Sequence, residues 1–148
     1  MNEQKFQLGV KALITNSKKE VLLLRVDTSR FKDKNSNLYY WDIPGGRIQQ
    51  GHTIEGTLLR EVEEEIGTSA INVESHFDSF ISNIKIPLGN RKFDGLILFV
   101  FICRLKNAKQ KIALNEESTE YRWTPIKEAK QLLTHKYPKS FIDKLDSL

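Results

Sequence analysis

The feature that most constrains this chain is the stretch from Gly45 to Gly67, GGRIQQGHTIEGTLLREVEEEIG. A glycine turn opens it and an acidic helix closes it. Ile54, Leu58, Val62 and Ile66 recur at i, i+4, i+8 and i+12, which predicts a helix with one apolar stripe turned to a core. Thr53 is placed to cap its start and Gly67 its end.

Beside that stripe, Glu61, Glu64 and Glu65 fall at i, i+3 and i+4 and share one turn of the helix. Like charges at these spacings cost roughly 0.2–0.5 kcal/mol per pair. Acidic residues in a last turn also oppose the helix dipole. Arg60 is the only cation nearby and cannot offset all of them. Clustered carboxylates of this kind are what hard cations such as Mg2+ require. Upstream, Pro44-Gly45-Gly46 permits a tight turn and close backbone approach, so that a carbonyl there can join the carboxylates.

The stretch resembles the Nudix box, G-x5-E-x7-R-E-U-x-E-E-x-G-U, where U is a bulky aliphatic residue. Gly46 matches the first glycine, Arg60-Glu61-Val62 matches R-E-U, Glu64-Glu65 matches E-E, and Gly67 matches the last glycine. Two positions depart: His52 stands where the first Glu belongs, and Thr68 replaces the final aliphatic. In the family that Glu helps to organise the loop and the Arg. Glu55 is a nearby carboxylate, at the wrong spacing. The competing readings are a solvated acidic helix face, or a fold of this family that has lost activity through His52.

Length fits one globular domain, and the order of elements, a helix between strands and another at the end, is α/β. A chain of 148 residues, 39% hydrophobic and 28% charged, can bury a core and is not disordered. The resemblance implies one Nudix domain over residues 1–148, built as an α/β/α sandwich with a mixed β-sheet. The formal charge of +4 suits an anionic substrate but is too dispersed to indicate nucleic-acid binding. The single cysteine, Cys103, excludes an internal disulfide and reads as a buried strand residue. The N-terminus lacks the apolar segment of a signal peptide, and Leu96–Cys103, the longest apolar run, is too short to cross a bilayer. A cytoplasmic enzyme with no membrane association is the expectation.

Along the chain, Phe6–Ile14 and Val21–Val26 read as a strand hairpin. Asp27–Asn37 reads as a loop, and Leu38–Trp41 leads into Asp42-Ile43-Pro44, which the resemblance makes a short strand delivering the glycine turn. Ile71–Ile84 suggests another strand, Pro87–Asn90 a turn, and Gly95–Leu105 a central strand apolar on both faces. Asn115–Glu120 reads as an acidic loop before Tyr121-Arg122-Trp123. Pro125 is placed to open a helix reaching Leu133, and Lys139–Leu145 is a final amphipathic segment. Arg25, closing its strand, could meet a phosphate or simply carry surface charge. Tyr39, Tyr40 and Trp41 could stack on a base or fill the core. Lys85, Arg91 and Lys92 are a modest basic cluster, facing either phosphates or solvent.

The resemblance implies hydrolysis of a nucleoside diphosphate linked to a further group X, with Mg2+ or Mn2+ as cofactor. It assigns metal binding to Glu61, Glu64, Glu65 and the Gly45 carbonyl, with Glu117 the first choice and Glu120 the second from the acidic loop. Arg60 would orient Glu61, the candidate general base, and Glu64 completes the catalytic set. Arg25, Tyr40 and Arg47 are the substrate-binding candidates. The partner is a small nucleotide, a homodimer is a common form in the family, and specificity lies in loops outside the box. The position of Pro87 departs from the spacing associated with ADP-ribose enzymes. The alternatives are a nucleotide-binding or sensor module without turnover, and an enzyme trimming RNA 5′ ends, which would call for a continuous basic groove.

Overall fold

The structure, a computed structural model, describes residues 2–27 and 39–148. Of the loop expected at Asp27–Asn37, only Asp27 lies among them, and it ends a strand.

Among the described residues, eight strands and three α-helices follow one another: β1 (Phe6–Ile14), β2 (Glu20–Asp27), β3 (Tyr39–Asp42), β4 (Gly45–Arg47), α1 (Ile54–Ile66), β5 (Ile71–Ile81), β6 (Ile86–Gly89), β7 (Lys92–Leu105), β8 (Ser118–Pro125), α2 (Ile126–Leu132) and α3 (Lys139–Lys144), the last running into a 3-10 turn at Leu145–Ser147. One sheet runs β4-β1-β7-β5 with β6 added to β7; a second runs β3-β2-β8. The pairing of β1 with β7 is parallel and the other strand pairs are antiparallel, so the larger sheet is mixed.

Side-chain alternation explains the layers. Along β1, Val10, Ala12 and Ile14 pack with Leu58, Val62 and Ile66 of α1, while Leu13 points the other way to Leu133 and Phe141. β2 divides likewise, Leu22 and Leu24 toward α1, Val21 and Leu23 toward α2 and α3. The strands therefore bury both faces between helices, the arrangement expected of near-continuous apolar runs. β7 lies inside the sheet, between β1 and β5, and Cys103 on it is fully buried.

Several boundaries differ from the sequence reading. Ile54 remains 42% exposed, so the apolar stripe of α1 begins in effect at Leu58. The turn lies at Asn90-Arg91, where both φ angles are positive (50° and 59°), and Pro87–Gly89 belong to β6; this is the two-residue hairpin geometry that matches strand twist. The acidic loop is shorter than expected because Ser118–Glu120 pair with β2. Pro125 closes β8 and sits one residue before α2 rather than in its first turn.

Candidate active site

The helix that carries the carboxylates is fixed at both ends. The Thr53 side chain accepts the Gly56 N–H at 3.0 Å, and Gly67 adopts φ 81°, with its N–H donating to the Glu63 carbonyl. Thr68, the second departure from the box, is buried and its hydroxyl accepts the Ala70 N–H at 3.0 Å. The glycine turn meets α1 side-on. A Cβ on Gly46 would lie 2.5 Å from the Glu61 carboxyl carbon, so only glycine lets that carboxylate rest against the backbone. One turn on, Glu65 accepts the Gly45 N–H at 3.3 Å and is almost wholly buried.

These surroundings bias the carboxylates. Burial pushes the Glu65 carboxyl up to about 8, with Lys11 opposing and Asp42 and Glu117 adding to the rise. The Glu61 carboxyl is also raised, by burial first and then by the charges of Glu64 and Glu117, against Arg60. Each shift marks a negative charge that the protein leaves under-compensated, the setting in which a divalent cation gains most. Glu117 lies in the turn before β8 and lines the same cleft as Glu65.

Arg60 holds the outer side of this group. Its guanidinium reaches Glu61 at 3.6 Å and Glu64 at 3.9 Å. It also meets His52 Nδ1 at 2.8 Å. A guanidinium can only donate, so the imidazole accepts through Nδ1 in this arrangement. His52 thus reaches Arg60 through its ring, and its backbone N–H donates to the Gln49 carbonyl at 3.1 Å. The sequence reading, which took His52 as a break in the pattern, did not foresee this.

The remaining candidates separate. Tyr40 lines a cleft of about 360 Å³ together with Lys11, Asp42, Gly45, Glu65 and Glu117. Glu64 is more than half exposed and bonds outward to Arg60. Arg47 extends from β4 and donates to the side-chain amide oxygen of Gln7 at 2.8 Å. Arg25 lies over the Tyr39 ring, 3.7 Å from its centroid, and 4.0 Å from Glu120. Glu120 also pairs with Arg122, so it faces away from α1. Among the described residues, no three His, Cys, Asp or Glu side chains are gathered closely enough to form a metal cage as they stand. The donor set is nonetheless all hard oxygen, from Glu61, Glu64, Glu65 and Glu117 with the backbone of Gly45 beside them, and it fits Mg2+ by chemistry.

One buried network at the inner end of the cleft escaped the sequence reading altogether. Asp42 accepts from Lys11 at 3.0 Å, Lys136 at 2.6 Å and the Tyr137 hydroxyl at 2.5 Å. Burial alone would raise its carboxyl, but the two ammoniums and the hydrogen bonds from Lys136 and Tyr137 hold it well below the usual carboxylate range. The signal available was a lysine inside the apolar run Val10–Ile14.

A family model of the NUDIX domain matches residues 5–145, nearly the whole chain. The chain belongs to the Nudix hydrolase family. Among its Nudix relatives, Nudix hydrolase 2 of Arabidopsis thaliana is 29% identical over 123 residues, which cover 82% of this chain and 40% of that protein. An RNA pyrophosphohydrolase of Campylobacter jejuni is 26% identical over 141 residues, covering 90% of this chain and 86% of that one. The crystal structure of a MutT protein from Methanosarcina mazei Go1 superposes with a TM-score of 0.69 at 25% identity, over 99% of this chain and 95% of that one. The dihydroneopterin triphosphate pyrophosphohydrolase of E. coli shares the Nudix fold, with a TM-score of 0.68 at 16% identity over 98% of this chain and 97% of that one.

Proposed function

We propose that this chain is a single catalytic domain hydrolysing a phosphoanhydride bond of a nucleoside diphosphate linked to a further group, a nucleoside triphosphate being the simplest case. The observation that carries the reading is the seating of Glu61 and Glu65 against the Gly45-Gly46 turn, both partly withdrawn from water and both feeling the charge of Glu117. A pyrophosphate is itself polyanionic, and such a site repels it unless divalent cations intervene. Glu61, Glu64 and Glu65 would hold Mg2+ or Mn2+, with the Gly45 carbonyl and Glu117 as further ligands. When bound, the metal neutralises phosphate charge and lowers the pKa of a water. The chain's own part is positional. Gly46 leaves room for the Glu61 carboxylate, Arg60 orients it, and His52 holds Arg60. Glu61 is placed to take the proton of the attacking water. Tyr40 lies where the nucleoside would enter the cleft. No helix among the described residues is long and apolar enough to cross a membrane.

A second substrate reading has one specific support. The Campylobacter jejuni relative is named for action on RNA, and Lys85, Arg91 and Lys92 are exposed around the β6–β7 hairpin. The sensor alternative loses its main support, because His52 contacts Arg60 rather than leaving it free.

A substrate panel tests these readings. Purified protein with Mg2+ meets nucleoside triphosphates, dinucleoside polyphosphates, ADP-ribose, sugar nucleotides and an RNA carrying a 5′-triphosphate, with an EDTA control. The expected result is turnover of a small nucleotide that EDTA abolishes. Turnover of the RNA alone would favour the second reading, and nucleotide binding without turnover would return the sensor.

A further inference from the structure

The inner end of the cleft is built around a carboxylate that is already fully engaged. Asp42 is saturated: Oδ2 accepts from both Lys11 and Lys136, and Oδ1 accepts from the Tyr137 hydroxyl and the Ile43 N–H. Each ammonium has three N–H groups and no lone pair. Lys11 places two of them on the protein, at Asp42 and the Ile43 carbonyl, and Lys136 places one, at Asp42. Both lysines are less than a tenth exposed, and both line the cleft. Among the described residues neither ammonium makes a further hydrogen bond, so the remaining donors are open to whatever enters it. One carboxylate, Asp42, accepts from both ammoniums, and Lys11 also lies close enough to Glu65 to oppose the rise of its carboxyl.

The walls say what shape enters. The Tyr40 ring is held in place by stacking on His135, with centroids 4.7 Å apart and planes 30° apart. Leu24 and Val26 add apolar surface. A slot with an aromatic wall suits a planar heterocycle.

We propose that Lys11 and Lys136 make the cleft select nucleotides whose base presents carbonyl oxygens (guanine, uracil or thymine) over those presenting an exocyclic amino group in their place (adenine or cytosine). A carbonyl accepts the unused ammonium N–H groups. An amino group brings donors against donors and leaves buried ammoniums unanswered, a mismatch that binding sites built on hydrogen bonds punish strongly. The inference rests on the nucleotide reading above and names which nucleotides that reading favours.

Calorimetric binding of GMP, UMP, AMP and CMP tests it without any need for turnover. The wild type should bind GMP and UMP at least about ten-fold more tightly than AMP and CMP, one good base contact being worth roughly that. Lys136→Gln, which can still donate to Asp42 but adds an acceptor, should bring the four within about three-fold. Lys136→Met should weaken GMP and UMP while leaving AMP and CMP nearly unchanged. A melting curve shows that each variant is folded. Equal binding of all four by the wild type, a preference for AMP and CMP, no binding of any, or a preference undiminished in both variants would each overturn the proposal. Hydrolysis of the matching triphosphates is followed in parallel. Selective binding without turnover would overturn only the enzymatic reading, and turnover without base preference only this one.

Discussion

Gly46→Ala isolates the position of Glu61 from the stability of the fold. Gly46 carries no positive φ, so an alanine there is unstrained in the backbone. Its Cβ, however, would lie 2.5 Å from the Glu61 carboxyl carbon and 2.7 and 2.8 Å from the two oxygens, where ordinary contact begins at 3.4 Å. The side chain must retreat by about 0.9 Å, the difference between 3.4 and 2.5 Å. It can do so, because the obstacle is the free end of a flexible chain. A displacement near 1 Å at a reacting group is enough to cost about a hundred-fold in rate, about 2.7 kcal/mol of barrier. Stability should change by less than about 1 kcal/mol, since Gly→Ala at a compatible φ also restricts the unfolded chain. Gly45→Ala is the contrast. There the Cβ would meet the Val10 carbonyl oxygen at 2.0 Å and φ is 151°, so a loss of at least about 2–3 kcal/mol is expected. Steady-state kinetics and urea denaturation of both variants provide the comparison. Full kcat in Gly46→Ala, or a stability loss matching that of Gly45→Ala, would refute the placement of Glu61.

Other predictions concern the groups around it. His52→Ala should lower kcat about ten-fold with little change in melting temperature, because the His52–Arg60 contact is exposed; His52→Glu should restore the rate, and equal rates in all three would remove His52 from the site. Asp42→Ala leaves Lys11 and Lys136 buried without their carboxylate and should destabilise the fold by about 3–5 kcal/mol in urea. Because the Asp42 carboxyl is held below its unfolded value near 3.9, its contribution is present above that pH and lost as pH falls below it; stability of the wild type should therefore decline on acidification below about pH 4. Burial pushes the Cys103 thiol up to about 12, so a thiol reagent at pH 8 should label it only after unfolding.

The parts legible in the sequence are those written in local spacing. Helix α1, its Thr53 and Gly67 caps, and the approach of the glycine turn all lie within about two dozen residues, and the box resemblance concerns the same segment. The central place of β7 followed from an apolar run too continuous for an exposed strand. The division into two sheets was not legible, because it depends on pairings such as β1 with β7, which no local pattern encodes. The Asp42 network joins residues 31, 94 and 95 positions apart, and an Asp before Ile-Pro reads as part of a turn until Lys136 is beside it. His52 was misleading for a chemical reason. A motif position was judged by residue type, whereas the requirement at Arg60 is an acceptor, which a neutral imidazole also supplies.

The most direct measurement is turnover of the best nucleotide substrate by wild type and Glu64→Gln, each with Mg2+ and with EDTA, beside a melting curve. Glu64 is exposed and contacts only Arg60 among the described groups, so its amide leaves the fold intact. The expected result is a fall of at least about a hundred-fold in the variant at unchanged melting temperature, and no wild-type turnover in EDTA. Wild-type rates in Glu64→Gln, or turnover that survives EDTA, would contradict a metal-dependent hydrolytic centre on the α1 carboxylates.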